Sequence, residues 1–298
     1  MNYKWGLDLG GTKIEGVILD ENNATVARLR VPTEADKGYE HILNQINKII
    51  NLLKAETGID PVSIGMGTPG ALSRSTGLMK NSNTTCLIGK PLLDDVQKHT
   101  GLKFKITNDA NCFAMAETIM GAVTELDEKP EVVFGVIMGT GVGGGVIVNG
   151  QIINGLHGIA GEWGHNVLIE DGYPCYCGKK GCVEKVIAGP ALERYYNEIE
   201  KTSYDLKEIY RRYKTGEDET AIKTIDRLNY YFGKAISVII NILDPDVVVL
   251  GGGVGNINEL VDRAQDSTQP FVFNGQMRTQ FLRPKLGDSA GVFGAALL

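Results

Sequence analysis

A strand, glycine turn and strand pattern occurs twice in this chain, and it constrains the fold more than any other feature. The first copy has Gly10-Gly11-Thr12 between two short apolar segments, and the second has Gly139-Thr140-Gly141 in the same position. Each segment pair predicts a β-hairpin. After each hairpin the sequence predicts the same order: strand, helix, strand ending in glycine, helix, strand, and an Asp that leads into a further helix.

This repeated order predicts an α/β protein with two domains of the same design. We expect duplicated actin-like ATPase (ribonuclease H-like) domains with a nucleotide-binding cleft between them. The predicted domains are residues 1–120 and 121–287, with an insertion at 155–184 in the second. The last helix, about 288–298, is expected to pack back on the first domain. A chain of 298 residues is long enough for two modest domains.

Composition excludes several classes of protein. The formal net charge is -6 and no basic stripe is present, which argues against a nucleic-acid partner. No apolar run reaches the ~18–20 residues needed to cross a bilayer, and the N-terminus lacks the pattern of a signal peptide. We therefore expect a cytoplasmic protein with no membrane partner. Anionic small molecules stay possible, because backbone N–H groups in glycine turns bind phosphate without positive charge.

The two glycine turns are candidates for polyphosphate binding. They offer backbone N–H groups, threonine hydroxyls and one lysine. Asp8, directly before the first turn, is suited to hold a hydrated Mg2+. The alternative is that these are ordinary hairpin glycines, but two turns with an acidic residue beside one favour nucleotide binding. The residues predicted to meet ATP are Gly10, Gly11, Thr12 and Lys13 in the first turn and Gly139, Thr140 and Gly141 in the second.

The segment from Gly139 to Gly144 also matches the G-x-G-x-x-G fingerprint of dinucleotide-binding folds. That fingerprint requires a helix directly after the glycines. Here an apolar strand pattern follows and runs into the hairpin signal Asn149-Gly150, which argues against a nicotinamide oxidoreductase. A P-loop is also absent, because no Gly-Lys pair precedes Ser or Thr.

Asp109 is the candidate general base. It lies in Asn108-Asp109-Ala110-Asn111, at a predicted junction from strand to helix. An aspartate there is also a common helix cap, and that alternative stays open. In the functional interpretation, Asp109 accepts the proton of an attacking alcohol while Asn108 holds the substrate. Phosphoryl transfer needs such positioning together with Mg2+.

The segment from Gly155 to Glu184 contains a candidate metal site. His165, Cys175, Cys177 and Cys182 supply one imidazole and three thiolates, a set suited to tetrahedral zinc. Four protein ligands would close the site, so the predicted Zn2+ is structural. The alternative is a group of reduced thiols without a metal.

These motifs together resemble the ROK family of repressors and sugar kinases, over essentially the whole chain. The motifs are LDLGGTK at 7–13, NDAN at 108–111, GTGVGGG at 139–145, GEWGH at 161–165, CYCGKKGCVE at 175–184 and VVLGGG at 248–253. Within the family, KNSNTTCLIGKPL at 80–92, AGEWGHN at 160–166, PCYCGK at 174–179 and NILDPDVVVLGGG at 241–253 are most similar to bacterial fructokinases of mannofructokinase type.

The resemblance implies transfer of the γ-phosphate of ATP to a hexose hydroxyl, usually O6. The best prediction for the hexose is D-fructose, giving fructose 6-phosphate. N-acetylglucosamine, N-acetylmannosamine, glucose and mannose are alternatives. By the same resemblance Asp109 is the base, a homodimer is expected, and Gly251, Gly252 and Gly253 meet the adenosine side. The predicted sugar contacts are Asn83, Asn108, Asp109, Glu162, His165 and Glu184.

A sugar-sensing regulator that has lost catalysis is the alternative from another class. Asp109 argues against it, as does the first predicted strand, which begins near residue 3 and leaves no room for an N-terminal DNA-binding segment.

Overall fold

The computed structural model describes residues 2–298 and contains twelve strands and ten α-helices. None of the helices described over that range is both long and apolar enough to cross a bilayer. The strands are β1 Lys4–Leu9, β2 Lys13–Leu19, β3 Thr25–Pro32, β4 Ile64–Thr68, β5 Ala71–Leu72, β6 Met79–Lys80, β7 Phe104–Asn108, β8 Val132–Met138, β9 Val142–Val148, β10 Gln151–Ile152, β11 Val247–Gly251 and β12 Gln280–Leu282. The helices are α1 Tyr39–Thr57, α2 Leu92–Thr100, α3 Asp109–Ile119, α4 Glu184–Ile187, α5 Gly189–Glu200, α6 Leu206–Thr215, α7 Glu219–Leu243, α8 Asn258–Asp262, α9 Ala264–Thr268 and α10 Ala290–Ala296.

The chain divides into two compact units. Unit 1 takes in the described chain up to Glu125 together with Gly150–Ala160 and Lys285–Leu298, and unit 2 is formed by Leu126–Asn149 and Gly161–Pro284. The sequence predicted a change of domain near residue 120 and a return to the first domain with the last helix at about 288, and it assigned the whole segment 155–184 to the second domain. In the structure, the part of that segment before Gly161 groups with unit 1.

The sheets of the two units repeat one strand order. In unit 1 the neighbours run β2-β1-β4-β7, and in unit 2 they run β9-β8-β11-β12. In both units the opening hairpin is antiparallel and the pairs that follow it in this order are parallel. In unit 1 the sheet is extended by β3, which pairs antiparallel with β2. The predicted duplication is therefore confirmed at the level of strand pairing. It brings the carboxyl ends of the parallel strands to one edge within each sheet.

Helix α1 shows how the sequence pattern forms the core of unit 1. Ile42, Ile46, Ile49 and Leu53 recur at helical spacing and are fully buried against the first sheet. The helix ends at Gly58, which has a φ of 68° and thus the left-handed conformation that glycine adopts readily. The same spacing in the sequence predicts a helix over 40–53, which the structure confirms and extends to Thr57.

Glycines allow the last helix to dock on unit 1. Helix α10 packs against α3, β1 and β4. A Cβ atom on Gly65 would lie 1.8 Å from the carbonyl oxygen of Ala295, and one on Gly294 would lie 1.8 Å from that of Cys112. Because real atoms do not approach so closely, glycine is required on both sides of this contact.

The structure corrects several predicted boundaries. The polar residues over 71–88 predict a loop, but this segment contains the small hairpin of β5 and β6. The apolar pattern predicts a strand from Gly145, whereas β9 begins at Val142, because the glycines before Gly145 already pair with β8. The residues over 281–285 predict a strand, whereas β12 ends at Leu282. Helix α4 and the pair α8 and α9 were not predicted; each has only four or five residues, too few to show a periodic pattern.

Candidate active site

The first glycine turn is a tight hairpin that connects β1 and β2. The Gly10 N–H donates to the Lys13 carbonyl at 2.9 Å, and the Thr33 hydroxyl donates to the Gly10 carbonyl at 2.6 Å. Gly11 and Thr12 are exposed at the tip of the turn. The Lys13 ammonium lies 3.5 Å from the Glu15 carboxylate. Lys13 is thus held along the sheet by an ion pair.

Asp8 lies in a crowded acidic environment at the end of β1. A Cβ atom on Gly291 would lie 3.0 Å from Asp8 Oδ2, and one on Gly67 would lie 3.0 Å from the Cys112 sulfur and 3.4 Å from Asp8 Oδ1, so the two glycines leave room for the carboxylate. Burial raises the pKa of Asp8 to about 7, and the negative charges of Asp109 and Glu15 add to the increase. An uncompensated carboxylate is therefore unfavourable here, and a cation would be bound favourably.

Asp109 lies at the first residue of α3, next to the end of the parallel strand β7. Its Oδ1 accepts a hydrogen bond from the Ala110 N–H at 2.8 Å. The residue is exposed, although surrounding protein atoms partly desolvate its carboxylate. This desolvation raises the pKa of Asp109, and the Ala110 hydrogen bond offsets part of the increase.

The alternative interpretation of Asp109 as the helix cap is wrong. Asn108 is the N-cap of α3, and its Oδ1 accepts from the Asn111 N–H at 2.8 Å. The N-cap position thus belongs to Asn108, although Asp109 Oδ1 also accepts from the Ala110 N–H of the first turn.

Four asparagines of unit 1, Asn83, Asn108, Asn111 and Asn154, are candidates for polar contacts. Asn83 is exposed in the loop beside the first turn, where a Cβ atom on Gly11 would lie 3.5 Å from the Thr84 hydroxyl. Asn154 was not predicted, yet its Oδ1 accepts from the Thr107 hydroxyl at 3.2 Å. Asn108, Asn111 and Asn154 line a cavity of 140 Å³.

The second glycine turn in unit 2 is in contact with Glu184. The Gly139 N–H donates to the Gly141 carbonyl at 2.9 Å, which closes the turn, and Thr140 is exposed at its tip. A Cβ atom on Gly141 would lie 2.8 Å from Glu184 Oε2, which also accepts from the Val142 N–H at 3.3 Å. Glu184 therefore stabilises the turn through this hydrogen bond. The contact joins residues 42 positions apart and was not predicted from the sequence.

The glycines at the end of β11 lie beside β8. Gly251 is the last residue of the strand, and Gly252 follows with a φ of +83°. A Cβ atom on Gly252 would come within 2.3 Å of the Met138 carbonyl oxygen, whereas Gly253 has open space around it. The backbone thus remains accessible at Gly253.

The segment GEWGH docks on β9 through its two glycines and its tryptophan. A Cβ atom on Gly161 would lie 2.3 Å from the Gly144 carbonyl oxygen, and one on Gly164 would lie 2.0 Å from that of Val142. The Trp163 indole N–H donates to the Gly143 carbonyl at 3.0 Å, and its ring is buried. This docking leaves Glu162 and His165, on either side of Trp163, partly exposed.

The four predicted zinc ligands are brought together. Their donor atoms all lie within 4.8 Å of one another. The Cys177 and Cys182 sulfurs are 3.6 Å apart, and Cys175 Sγ lies 3.5 Å from His165 Nδ1. Tetrahedral zinc with its usual bond lengths would separate two sulfurs by about 3.8 Å and sulfur from nitrogen by about 3.5 Å. The donor set and its spacing therefore fit a zinc ion.

Tight turns shape the loop that carries these ligands. Gly181 has a φ of +64°, and a Cβ atom there would lie 1.6 Å from the Ile169 carbonyl oxygen. Its carbonyl accepts from the Leu168 N–H at 2.8 Å. All five cysteines are free thiols. The loop is thus held by backbone hydrogen bonds and a metal-type cluster, without a disulfide.

Tyr176 belongs to this group of residues and was missed by the sequence analysis. Its hydroxyl oxygen lies 2.9 Å from His165 Nε2, within hydrogen-bond distance. Burial raises the pKa of Tyr176 to about 12, and the carboxylates of Glu184 and Glu162 contribute to the increase. Nothing in the local spacing distinguishes Tyr176 from its neighbour Tyr173, so only the fold could reveal the contact.

A comparison with family models identifies the group of proteins. The model of the ROK family matches residues 4–298. The chain belongs to the ROK family. The family prediction made from the GEWGH and cysteine motifs is therefore confirmed.

Individual relatives match over nearly the full length. The chain is 33% identical over 304 residues to an N-acetyl-D-glucosamine kinase of Pectobacterium atrosepticum, a match that covers 99% of this chain and 98% of the relative. A ROK hexokinase structure from Thermus thermophilus superposes with a TM-score of 0.88 at 32% identity and covers 99% of this chain and 97% of the other. A ROK family glucokinase from Streptomyces griseus, in complex with glucose and AMPPNP, has a TM-score of 0.79 at 27% identity, covering 99% and 98%.

The comparison with these relatives tests the predictions of fold, enzyme class and substrate. The actin-like α/β fold with two sheet domains is confirmed, and so is the enzyme class, an ATP-dependent sugar kinase. The finer prediction of a fructokinase finds no support among them, since the curated relatives are N-acetyl-D-glucosamine kinases. The roles of individual residues and of zinc stay predictions.

Proposed function

We propose that this chain phosphorylates N-acetyl-D-glucosamine with ATP. The choice of sugar rests on the curated relatives of similar length, which carry that activity in their names. The observation that supports kinase chemistry in the chain itself is the acidic pair Asp8 and Asp109, whose pKa values are both raised. Perturbed carboxyl groups near the ends of parallel strands are typical of catalytic sites in α/β proteins.

In this proposal Asp109 is the general base. The sugar hydroxyl, O6 by the family resemblance, attacks the γ-phosphorus of ATP and gives its proton to Asp109. The bond from the γ-phosphorus to the bridging oxygen breaks, and ADP leaves. A pKa raised from its ordinary value makes Asp109 a better proton acceptor, and its contact with solvent allows a substrate to reach it.

Asp8 would hold the hydrated Mg2+ that accompanies ATP. A divalent cation neutralises charge on the phosphates and on the leaving group. Asp8 suits this task because it lies in an acidic environment where the protein supplies too little positive charge, Lys13 being already paired with Glu15. Replacing the bound proton of Asp8 by a cation would relieve this unfavourable charge.

The glycine turns would bind the nucleotide. Exposed backbone at the tips of both turns offers N–H groups to phosphate oxygens, and the open space at Gly253 leaves room for the adenosine. The residues proposed to meet ATP are Gly10, Gly11, Thr12, Lys13, Gly139, Thr140, Gly141, Gly251, Gly252 and Gly253.

Polar side chains from several loops would bind the sugar. Asparagines supply both donors and acceptors, and carboxylates accept from sugar hydroxyls. The proposed contacts are Asn83, Asn108, Asp109, Glu162, His165 and Glu184. Zinc, held by His165, Cys175, Cys177 and Cys182, would be structural, because four protein ligands leave no open position for a substrate. Its effect would be to hold His165 rigidly.

The experiment is a coupled assay of ADP release with each of five sugars. Turnover is expected to be highest with N-acetyl-D-glucosamine, ahead of N-acetylmannosamine, glucose, mannose and fructose. Higher kcat/KM with fructose would favour the fructokinase that the sequence motifs predicted. No turnover with any sugar, together with binding of one of them, would favour a sugar-sensing regulator. Size-exclusion chromatography with light scattering tests the homodimer that the family resemblance predicts.

A further inference from the structure

Tyr176 has a position that packing does not explain. Its side chain is 71% exposed although it lies between two predicted zinc ligands in sequence. The ring is edge-on to the His165 ring, with centroids 5.0 Å apart and an interplanar angle of 88°. A large aromatic side chain at such an exposed place contributes little to the core, so a role on the surface of the site is the better explanation.

The two nitrogens of His165 face different partners. Nδ1 lies 3.5 Å from the Cys175 sulfur, and Nε2 lies 2.9 Å from the Tyr176 hydroxyl. If Nδ1 is the zinc ligand, as the cluster requires, the neutral ring carries its proton on Nε2. His165 then donates to the Tyr176 oxygen. The proton of the Tyr176 hydroxyl is left to donate elsewhere.

The neighbouring acidic groups complement this donor. Glu162 and Glu184 lie next to this histidine and its cluster along the chain: the His165 N–H donates to the Glu162 carbonyl at 3.3 Å, and Glu184 follows the predicted zinc ligand Cys182 by two residues. Ionised carboxylates only accept hydrogen bonds, whereas a sugar hydroxyl both donates and accepts. With Nδ1 in the metal-type cluster and Nε2 bonded to Tyr176, His165 reaches the sugar through the Tyr176 hydroxyl, and the two carboxylates beside it only accept, so a donor is needed at this end of the proposed site. Tyr176 supplies one.

We propose that Tyr176 is a substrate-binding residue, whose hydroxyl is oriented by His165 Nε2 and donates a hydrogen bond to a hydroxyl oxygen of the hexose. The inference rests on the proposed sugar kinase function and names a contact that neither the sequence motifs nor the relatives assign. Its consequence is selectivity, because a hexose that lacks the matching hydroxyl, or carries it in another orientation, leaves the donor without a partner.

The test compares Tyr176→Phe with a matched control. Tyr176→Phe removes only the hydroxyl. Tyr173→Phe removes a hydroxyl from the same loop, but that group donates to the Glu198 carboxylate at 2.6–2.7 Å and its ring stacks with Arg194. We expect Tyr176→Phe to raise the KM for the hexose about three- to tenfold, the usual worth of one hydrogen bond between uncharged groups. The KM for ATP and the zinc content are expected to stay at wild-type values in both variants.

A series of deoxy sugars separates a direct contact from a structural effect. Removal of the hydroxyl that pairs with Tyr176 should weaken binding to the wild type but should have little further effect in Tyr176→Phe, as in a double-mutant cycle. Removal of any other hydroxyl should weaken hexose binding by the same factor in wild type and in Tyr176→Phe. An unchanged or lower KM in Tyr176→Phe, or equal losses at every deoxy position, would overturn the proposal.

Binding measured by calorimetry distinguishes this inference from the proposed function. A wild type that binds a hexose without turning it over refutes the kinase, while Tyr176 is still judged from the binding constants. A wild type that binds no hexose refutes both. If Tyr176→Phe loses zinc or fails to fold, Tyr176→Gln, which keeps a donor, is compared with Tyr176→Leu, which has none. Equal hexose affinity in that pair contradicts the proposal.

Discussion

Replacement of Asp8 by asparagine is expected to stabilise the protein against unfolding at neutral pH while abolishing its activity. In the folded state burial, Asp109 and Glu15 raise the pKa of Asp8 from 3.8 to about 7. The folded protein thus binds this proton more tightly than the unfolded chain does. The stabilisation linked to the proton is complete below about pH 4 and is lost progressively as the pH rises through 7.

The size of the effect follows from the shift. A difference of about three pKa units corresponds to about 4 kcal/mol, which is an upper limit. Asp8 is partly exposed, and solvent together with local relaxation reduces that figure to roughly 1–3 kcal/mol. Asparagine has nearly the same shape and never acquires the charge. The advantage of Asp8→Asn over the wild type should therefore grow by roughly 1–2 kcal/mol between about pH 5 and about pH 8.

Urea unfolding without added Mg2+ at several pH values measures this difference. Asp36→Asn is the control, because it removes the same charge from an exposed position. Addition of Mg2+ at about pH 8 should narrow the gap by stabilising the wild type, since a ligand that binds only the folded state shifts unfolding. A gap that does not change with pH, or an Asp8→Asn protein less stable than the wild type at about pH 8, would refute the reasoning.

Four further outcomes are expected. Asp109→Asn should lower kcat by about 10²–10⁴-fold and leave sugar affinity within a few fold, because only the proton acceptor is lost. Stopped-flow kinetics measures the rate and calorimetry the sugar affinity, and a kcat near that of wild type would exclude Asp109 as the base. Metal analysis of wild type purified without chelator is expected to find a single zinc ion, and Cys182→Ser should lose it and have a lower melting temperature, because a structural metal stabilises the fold. Wild type without zinc would count against the site. Glu117→Ala should reduce the free energy of unfolding by roughly 2–4 kcal/mol, because the buried carboxylate accepts from the backbone N–H groups of Ala122, Lys285 and Leu286; a loss below about 0.5 kcal/mol would contradict this reading. Gly164→Ala should lower the free energy of unfolding by roughly 1–3 kcal/mol and displace His165, since the new Cβ would lie 2.0 Å from the Val142 carbonyl oxygen. The control Gly275→Ala, whose Cβ would have nothing within 4 Å, should have nearly wild-type stability, and equal stability of the two variants would contradict the prediction.

Local patterns account for what could be predicted of the fold. The apolar segments around the two glycine turns were enough to predict both hairpins, because alternation and turn residues act over a few positions. The zinc ligands could be named for the same reason: three of them lie within eight residues, and the donor chemistry is distinctive. The strand predicted after Gly144 also followed from its local pattern and argued against a dinucleotide-binding fold; in the structure it belongs to β9, which begins at Val142.

Contacts between residues distant in sequence could not be predicted. The contact of Glu184 with Gly141, and the docking of α10 through Gly65 and Gly294, depend on strand register and on the directions in which loops leave the sheets. The helix cap is a smaller example. Asn108 and Asp109 are both good caps by residue type, and only the backbone geometry at the end of β7 decided for Asn108.

The sequence by itself thus determined the repeated strand order, the family and the metal-type ligand set, because these depend on residue types at short spacing. The tertiary structure alone decided the state and surroundings of the reactive groups. Asp8 has its raised pKa because folding removes water from its carboxylate and brings Asp109 and Glu15 close to it. The Tyr176 hydroxyl lies at His165 Nε2, whereas the Tyr173 hydroxyl bonds to Glu198. The path of the folded loop decides these partners, and the local sequence does not distinguish the two tyrosines.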